Sequence, residues 1–155
     1  MTPEVHSFTR LLGRVHTDPD VAELMRKIGL SNQRIKLKKG DYSASYSALQ
    51  HGVDVTFVDP AEHPKIEASL DGALIFDTVF FFSAGCQDHD QYPRSLPLSL
   101  EFNLSREKVR KLLSTPEWSS PILPVDRWTW EGLKLAIHFR KDESSIAYLS
   151  CGLKK

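Results

Sequence analysis

Gly72-Ala-Leu-Ile-Phe-Asp-Thr-Val-Phe-Phe-Phe82 is the stretch on which the reading of the fold turns. Leu74, Ile75, Phe76, Val79, Phe80, Phe81 and Phe82 crowd into eleven residues, bounded by Asp71-Gly72 before and Gly85 after. A short apolar run rich in aromatic and β-branched side chains, closed by turn residues, predicts a strand buried on both faces, with Phe80 in the core. It is far too short to span a bilayer, which takes about 20 apolar residues.

Working outward, the preceding chain predicts two helices and three strands. Val5, Phe8, Leu11 and Leu12 mark one face of a helix over 4–12, ended by Gly13. Asp18 is placed as the N-cap of a second helix over 18–28, with Pro19 at its first position and Val21, Leu24, Met25 and Ile28 on its inner face. Residues 34–40 alternate Ile35 and Leu37 with basic side chains, an edge or half-exposed strand. Residues 41–49 read as a strand with Tyr42 and Tyr46 on one face, and 53–58 as a cleanly alternating strand. Pro60 and Pro64 place residues 59–71 in a loop.

After the long strand, residues 83–97 form a polar loop of 15 residues, a length at which loops tend to be functional. Leu98, Leu100 and Phe102 predict a strand. Ser105 caps a third helix to 114, with Val109, Leu112 and Leu113 inward. Residues 118–124 read as a loop. Strands over 126–130 and 133–139 are joined by the tight turn Glu131-Gly132, and a last strand runs over 145–151, with Leu135 in the core.

The two halves repeat a pattern. Leu24-Met-Arg-Lys-Ile28 matches Val109-Arg-Lys-Leu-Leu113, and Gly52-Val-Asp-Val-Thr-Phe57 matches Gly132-Leu-Lys-Leu-Ala-Ile137. The expectation is an α+β fold in one domain over 1–155: pseudo-repeats 1–85 and 96–155 build one antiparallel sheet of seven to eight strands with helices on one face. This tandem pattern resembles the β-lactamase-inhibitor-protein-like architecture. Residues 96–113 (LPLSLEFNLSREKVRKLL), Pro116-Glu-Trp118, Asp126-Arg-Trp128 and Gly132-Leu-Lys-Leu135 are similar to the C-terminal half of small bacterial immunity proteins. Leu11-Leu-Gly13, Asp18-Pro-Asp-Val21 and Leu24 resemble their N-terminal half. Such proteins are encoded beside toxins delivered by type VI secretion and related contact-dependent systems. Related sheets occur in bacterial envelope lipoproteins. Ser114 departs from the pattern, because these repeats often end the helix with Gly.

Composition bounds the rest. Of 155 residues, 41% are hydrophobic and 26% charged, ordinary values for a soluble globular protein. No window is apolar enough for a membrane helix, and the N-terminus has no secretory pattern, so the expected location is the cytoplasm, with Cys86 and Cys151 as free thiols. Net charge is zero but segregated. Between Val53 and Asp90 stand Asp54, Asp59, Glu62, Glu67, Asp71, Asp77, Asp88 and Asp90 against Lys65, a net −7 that the remainder balances.

No nucleotide, metal-protease or serine-hydrolase motif is present. Cys86-x-x-His89 with Asp88 and Asp90 comes nearest to a metal cluster, without convergent spacing; no cofactor or metal is expected, and no enzyme activity. The expected function is that of a cytoplasmic immunity protein that binds and neutralises a cognate toxin, not nucleic acid or membrane. The expected contact is an acidic surface over a basic active site, as on a nuclease. The candidate contacts are Asp54, Asp59, Glu62, Asp77, Asp88, Asp90, Tyr92, Trp118 and Trp128. Trp128 and Trp130 share a strand face, which is either core or offered to a partner. The alternative is a small ligand-binding domain or enzyme using the concave sheet face, with loop 83–97 as a lid.

Overall fold

The structure is a computed structural model and describes residues 1–66 and 72–155. Glu67 and Asp71 of the acidic stretch, with the end of the loop expected over 59–71, lie outside the described residues. Seven strands form one open antiparallel sheet: β1 (Ser43–Ala48), β2 (Val53–Val58), β3 (Ile75–Phe82), β4 (Trp118–Ser119), β5 (Val125–Trp130), β6 (Leu133–Phe139) and β7 (Ile146–Gly152), in the order β1-β2-β3-β7-β6-β5-β4. The helices are α1 (Val5–Thr9), α2 (Pro19–Lys27) and α3 (Arg106–Leu113). The fold is therefore α+β.

Each half of the chain runs from helix to outer strand to sheet centre, so the closing strands of the halves, β3 and β7, lie side by side. β2 and β6, the two segments matched by sequence, flank this central pair. Gly52 and Gly132, just before them, both have positive φ, +67° and +76°. Glu131, at φ +50°, completes a two-residue hairpin turn with φ positive at both positions, the geometry that suits the twist of adjoining strands.

Alternation sorts the sheet into two faces. Val53, Val55 and Phe57 of β2, Val79 and Phe81 of β3, Leu149 and Cys151 of β7, Leu135 and Ile137 of β6 and Trp128 of β5 are buried in one cluster. The same cluster holds Val5 and Phe8 of α1, Val21, Leu24 and Met25 of α2 and Val109 of α3. Among the described residues no helix packs on the opposite face. Asp77 is the extra residue of a bulge, since β2 pairs Thr56 with Thr78 but Phe57 with Phe76.

Helix ends follow local chemistry. The Asp18 carboxylate accepts from the Asp20 N–H at 2.8 Å, and the Ser105 hydroxyl accepts from the Lys108 N–H at 3.2 Å. Ser114 ends α3 with φ +76°, adopting the left-handed position for which glycine is the easier residue. α1 is shorter than expected: residues 10–12 turn away so that Gly13 and His16 can donate to Phe76 O and Leu74 O at 2.8 Å. That segment supplies the edge that β7, which begins pairing at Thr78, leaves open. In α3, Leu112 is exposed rather than inward, because eight helical residues on a narrow contact bury only Val109 fully.

Two expected strands are absent. Residues 34–40 make no ladder; the Tyr46 hydroxyl meets their backbone instead, accepting from Lys36 N at 3.0 Å. Ile35 and Leu37 pack on the core without strand pairing. Around 98–102, Pro97 opens a 3-10 turn with Leu98 and Ser99 at φ +58° and +60°. This turn throws Leu98 outward while Leu96 and Leu100 stay buried. Conversely, the expected loop 118–124 begins with the two-residue strand β4. Among the described residues no helix is long and apolar enough to cross a membrane.

Candidate functional site

The helices leave one sheet face free, and strand register writes its rows directly. One row runs Phe82, Tyr148, His138 and Val125 across β3, β7, β6 and β5. The next runs Asp54, Phe80, Ser150, Ala136, Arg127 and Trp118. A third carries Thr56, Thr78, Gly152, Lys134 and Thr129.

The first row is a stack of rings. His89, from the loop after β3, lies on Phe82 at 3.7 Å between centroids and 9° between planes. Phe82 stands 5.2 Å from Tyr148, which stacks on His138 at 4.1 Å and 14°. Burial lowers the His138 pKa and raises that of Tyr148, so both rings are held neutral. The middle row drops to small side chains at Ser150 and Ala136, between Phe80 on one side and Trp118 on the other. The result is a trough of about 330 Å³ whose charged lining is Arg127 and Lys134. The Arg127 guanidinium lies 5.0 Å over the Trp118 ring. Beside it, Trp118, Ile122 and Leu123 are 44%, 88% and 60% exposed.

A clamp on the helix side fixes this edge. The buried Asp126 carboxylate accepts from Arg106 at 2.6 and 3.1 Å, from Arg110 at 2.8 Å twice, and from the Ser119 hydroxyl at 2.6 Å. Burial pushes this carboxyl up, but the bonds from Arg110, Arg106 and Ser119 outweigh it and hold the group well below the usual carboxylate range. Asp126 and Ser119 are paired across β5 and β4. Their sequence neighbours Arg127 and Trp118, the next pair, therefore emerge together on the open face.

The acidic candidates separate into internal and surface groups. Asp54, at the rim of the open face, accepts from the buried His89 at 2.7 Å, and His89 also meets Cys86 O at 3.0 Å. Asp77 accepts from the buried His63 at 2.5 Å and from the Thr78 hydroxyl. Asp59 caps a 3-10 turn by accepting from Ala61 N at 2.8 Å, and Glu62 pairs with Lys155 at 2.7 Å. Asp88 and Asp90 remain exposed on the loop.

Two expected contacts are corrected. Tyr92 is 1% exposed: its ring packs 4.6 Å from Phe81 and its hydroxyl donates to Pro3 O at 2.7 Å. It anchors the loop to the core because the backbone between Phe82 and Tyr92 closes by Tyr92 N to Phe82 O. Trp128 is 6% exposed on the helix side and donates its indole N–H to Ser114 O at 3.2 Å. Phe80, expected in the core, stands half-buried on the open face, since Val79 and Phe81 take the inward positions. Only Trp118 of the two tryptophan candidates is accessible.

Tyr148, His138, Arg127 and Lys134 escaped sequence reasoning. Their signal was alternation, since each stands one residue from an inward apolar neighbour. Nothing in their types marked the outward positions as gathered into one surface. Cys86-x-x-His89 does not converge on a cation site, because His89 turns inward onto Asp54. Cys86 and Cys151 are free thiols, and burial pushes the Cys151 thiol up to about 12. Comparison with known protein families, with curated proteins and with solved structures finds no match to this chain.

Proposed function

We propose that this chain is a protein-binding module of the immunity type, acting in the cytoplasm to neutralise a cognate toxin by docking it on the open sheet face. One observation carries the reading: the face lacking helices holds the half-buried Phe80, Tyr148 and His138 and the Trp118–Arg127 pair around a shallow trough. Aromatic and arginine side chains of limited mobility are the residue types that dominate binding energy at protein interfaces. A sheet carries such side chains in fixed register, so they are preorganised before the partner arrives.

The acidic stretch takes a smaller part in this mechanism than its charge suggests. Among the described residues, four of its carboxylates already have internal partners, which leaves Asp88 and Asp90 at the β2–β3 rim of the face. These two suit a basic group on the toxin, as on a nuclease surface.

The test is co-expression with the product of the neighbouring gene, which this reading expects to be a toxin. Wild type is expected to restore growth, and Trp118→Ala with Phe80→Ala to lose protection while the fold melts at an unchanged or slightly lower temperature. Protection retained by that pair, with full loss in Asp88→Lys/Asp90→Lys, would move the contact from the sheet face to the loop. A small-ligand reading uses the same trough, whose lining includes the hydroxyls of Thr78, Ser120 and Ser150 beside Arg127 and Lys134; calorimetric binding of a metabolite without any protein partner would favour it.

A further inference from the structure

We propose that the trough is a seat for an acidic side chain of the partner protein, whose carboxylate lies between Arg127 and Lys134. This rests on the docking reading above and adds the chemistry of the partner's anchoring segment. Lys134 and Arg127 are the charged residues lining the trough, and neither makes a salt bridge among the described residues. The acids nearest in sequence, Asp126 and Glu131, are committed elsewhere, Glu131 to His6 at 3.0 Å. Asp126 faces the helices and is filled by Arg106, Arg110 and Ser119. Glu117 accepts the Thr129 hydroxyl at 2.9 Å. The trough's own charged lining is therefore cationic, opposite in sign to the acidic rim at Asp88 and Asp90, with the Glu117 carboxylate and the Lys154 amine both meeting the Thr129 hydroxyl beside Lys134.

The shape matches one such side chain. Ser150 and Ala136 form a floor without bulk, and about 330 Å³ above them accommodates a carboxylate with an adjoining apolar group. Trp118 covers the Arg127 guanidinium at 5.0 Å, a contact that uses the face of the group and not its N–H donors. A planar guanidinium held this way is preorganised for two parallel bonds to a carboxylate. Lys134 supplies a second, mobile cation, and the half-buried Phe80 and exposed Leu123 offer apolar contact to the neighbouring residue of the partner. The occupant is thus a protein segment in which an acidic residue neighbours an apolar or aromatic one.

The experiment titrates the ¹⁵N-labelled full chain with Ac-Glu-Leu-Phe-Glu-NH₂, with the glutamine analogue Ac-Gln-Leu-Phe-Gln-NH₂, and with a ten-nucleotide single-stranded RNA. The acidic peptide is expected to shift the amides of Ala136 and Ser150 and the Trp118 indole N–H. Its affinity should fall about tenfold in Arg127→Glu/Lys134→Glu, an effect of the size seen when a charge pair is reversed at an interface, and not in Lys108→Glu on α3. Equal affinity for the glutamine peptide, or shifts confined to residues 86–90, would overturn the seat. Tighter binding of the RNA at the same residues would also overturn it, making the trough a polyanion surface. Loss of toxin protection in Trp118→Ala together with glutamine-peptide binding equal to the acidic peptide would remove the carboxylate seat and leave the docking face standing. Peptide binding at the trough with protection intact in Trp118→Ala/Phe80→Ala would do the reverse.

Discussion

Replacing Asp126 by Ala should be the most damaging single change at the edge of the docking face. The carboxylate is fully buried and accepts five hydrogen bonds from Arg106, Arg110 and Ser119, joining α3 to β5 and β4. Removing one partner of a buried ion pair costs about 3–5 kcal/mol, mostly because the other charge is left without compensation. Arg106 is 13% exposed and bears that cost, whereas Arg110 is 42% exposed and can turn to water, which favours the low end. A loss of about 3 kcal/mol corresponds to a fall in Tm of roughly 6–12 °C for a domain of this size. Urea melts and calorimetry measure both. The pH dependence supplies an independent check. The native carboxyl titrates below its unfolded value of about 3.9, so its stabilisation is complete at neutral pH and fades as pH falls through and below about 4. Asp126→Asn should flatten that acid limb. Because Ser119 is held by the same carboxylate, Asp126→Ala should also free Trp118, seen as a loss of its indole shift dispersion. A stability loss under about 1 kcal/mol, the value of an exposed pair, would refute the clamp.

The remaining predictions concern the two faces and the loop. Leu135→Ala, at a fully buried site, should cost about 2–5 kcal/mol in denaturant melts, and Phe80→Ala, half-buried on the open face, about 1 kcal/mol; equal losses would place both in the core. Burial lowers the native His138 pKa, so the unfolded chain binds that proton first and stability should fall as pH drops below about 6.5; His138→Asn should flatten Tm between pH 7 and 5, and an unchanged slope would exclude this ring as the cause. Gly52→Ala should lower stability by more than about 2 kcal/mol, because φ there is +67° and a Cβ would strike the Asp90 carbonyl and the Tyr92 backbone. A melt within about 0.5 kcal/mol of wild type would show that the loop backbone can retreat.

Much of the architecture was legible in the order of residues alone. Alternation in 53–58 and 133–139 defined strands whose bounds the structure reproduces, and Asp18 and Ser105 marked helix starts because a side-chain acceptor there meets an otherwise unpaired N–H. The errors have identifiable causes. Residues 34–40 alternate like a strand, but their backbone meets a tyrosine hydroxyl rather than a ladder. Pro97, which lacks an N–H, broke the strand expected over 98–102. The site was less legible than the fold, since net charge counts carboxylates without revealing that His89 and His63, 35 and 14 residues from their partners, hold Asp54 and Asp77.

The sequence by itself determined most element types, the buried Phe-rich strand and the order of helices and strands along the chain, because periodicity, caps and turn residues act over a few neighbours. Tertiary structure alone decided which face of β3 meets the helices, and so whether Phe80 or Phe81 is offered outward. It also decided that β3 and β7 lie together, which brings Phe80, Ser150, Ala136 and Arg127 into one row. The physical reason is that register between strands distant in sequence is fixed by mutual burial of their apolar faces. Long-range pairs such as His89–Asp54 then consume charges that local sequence leaves free.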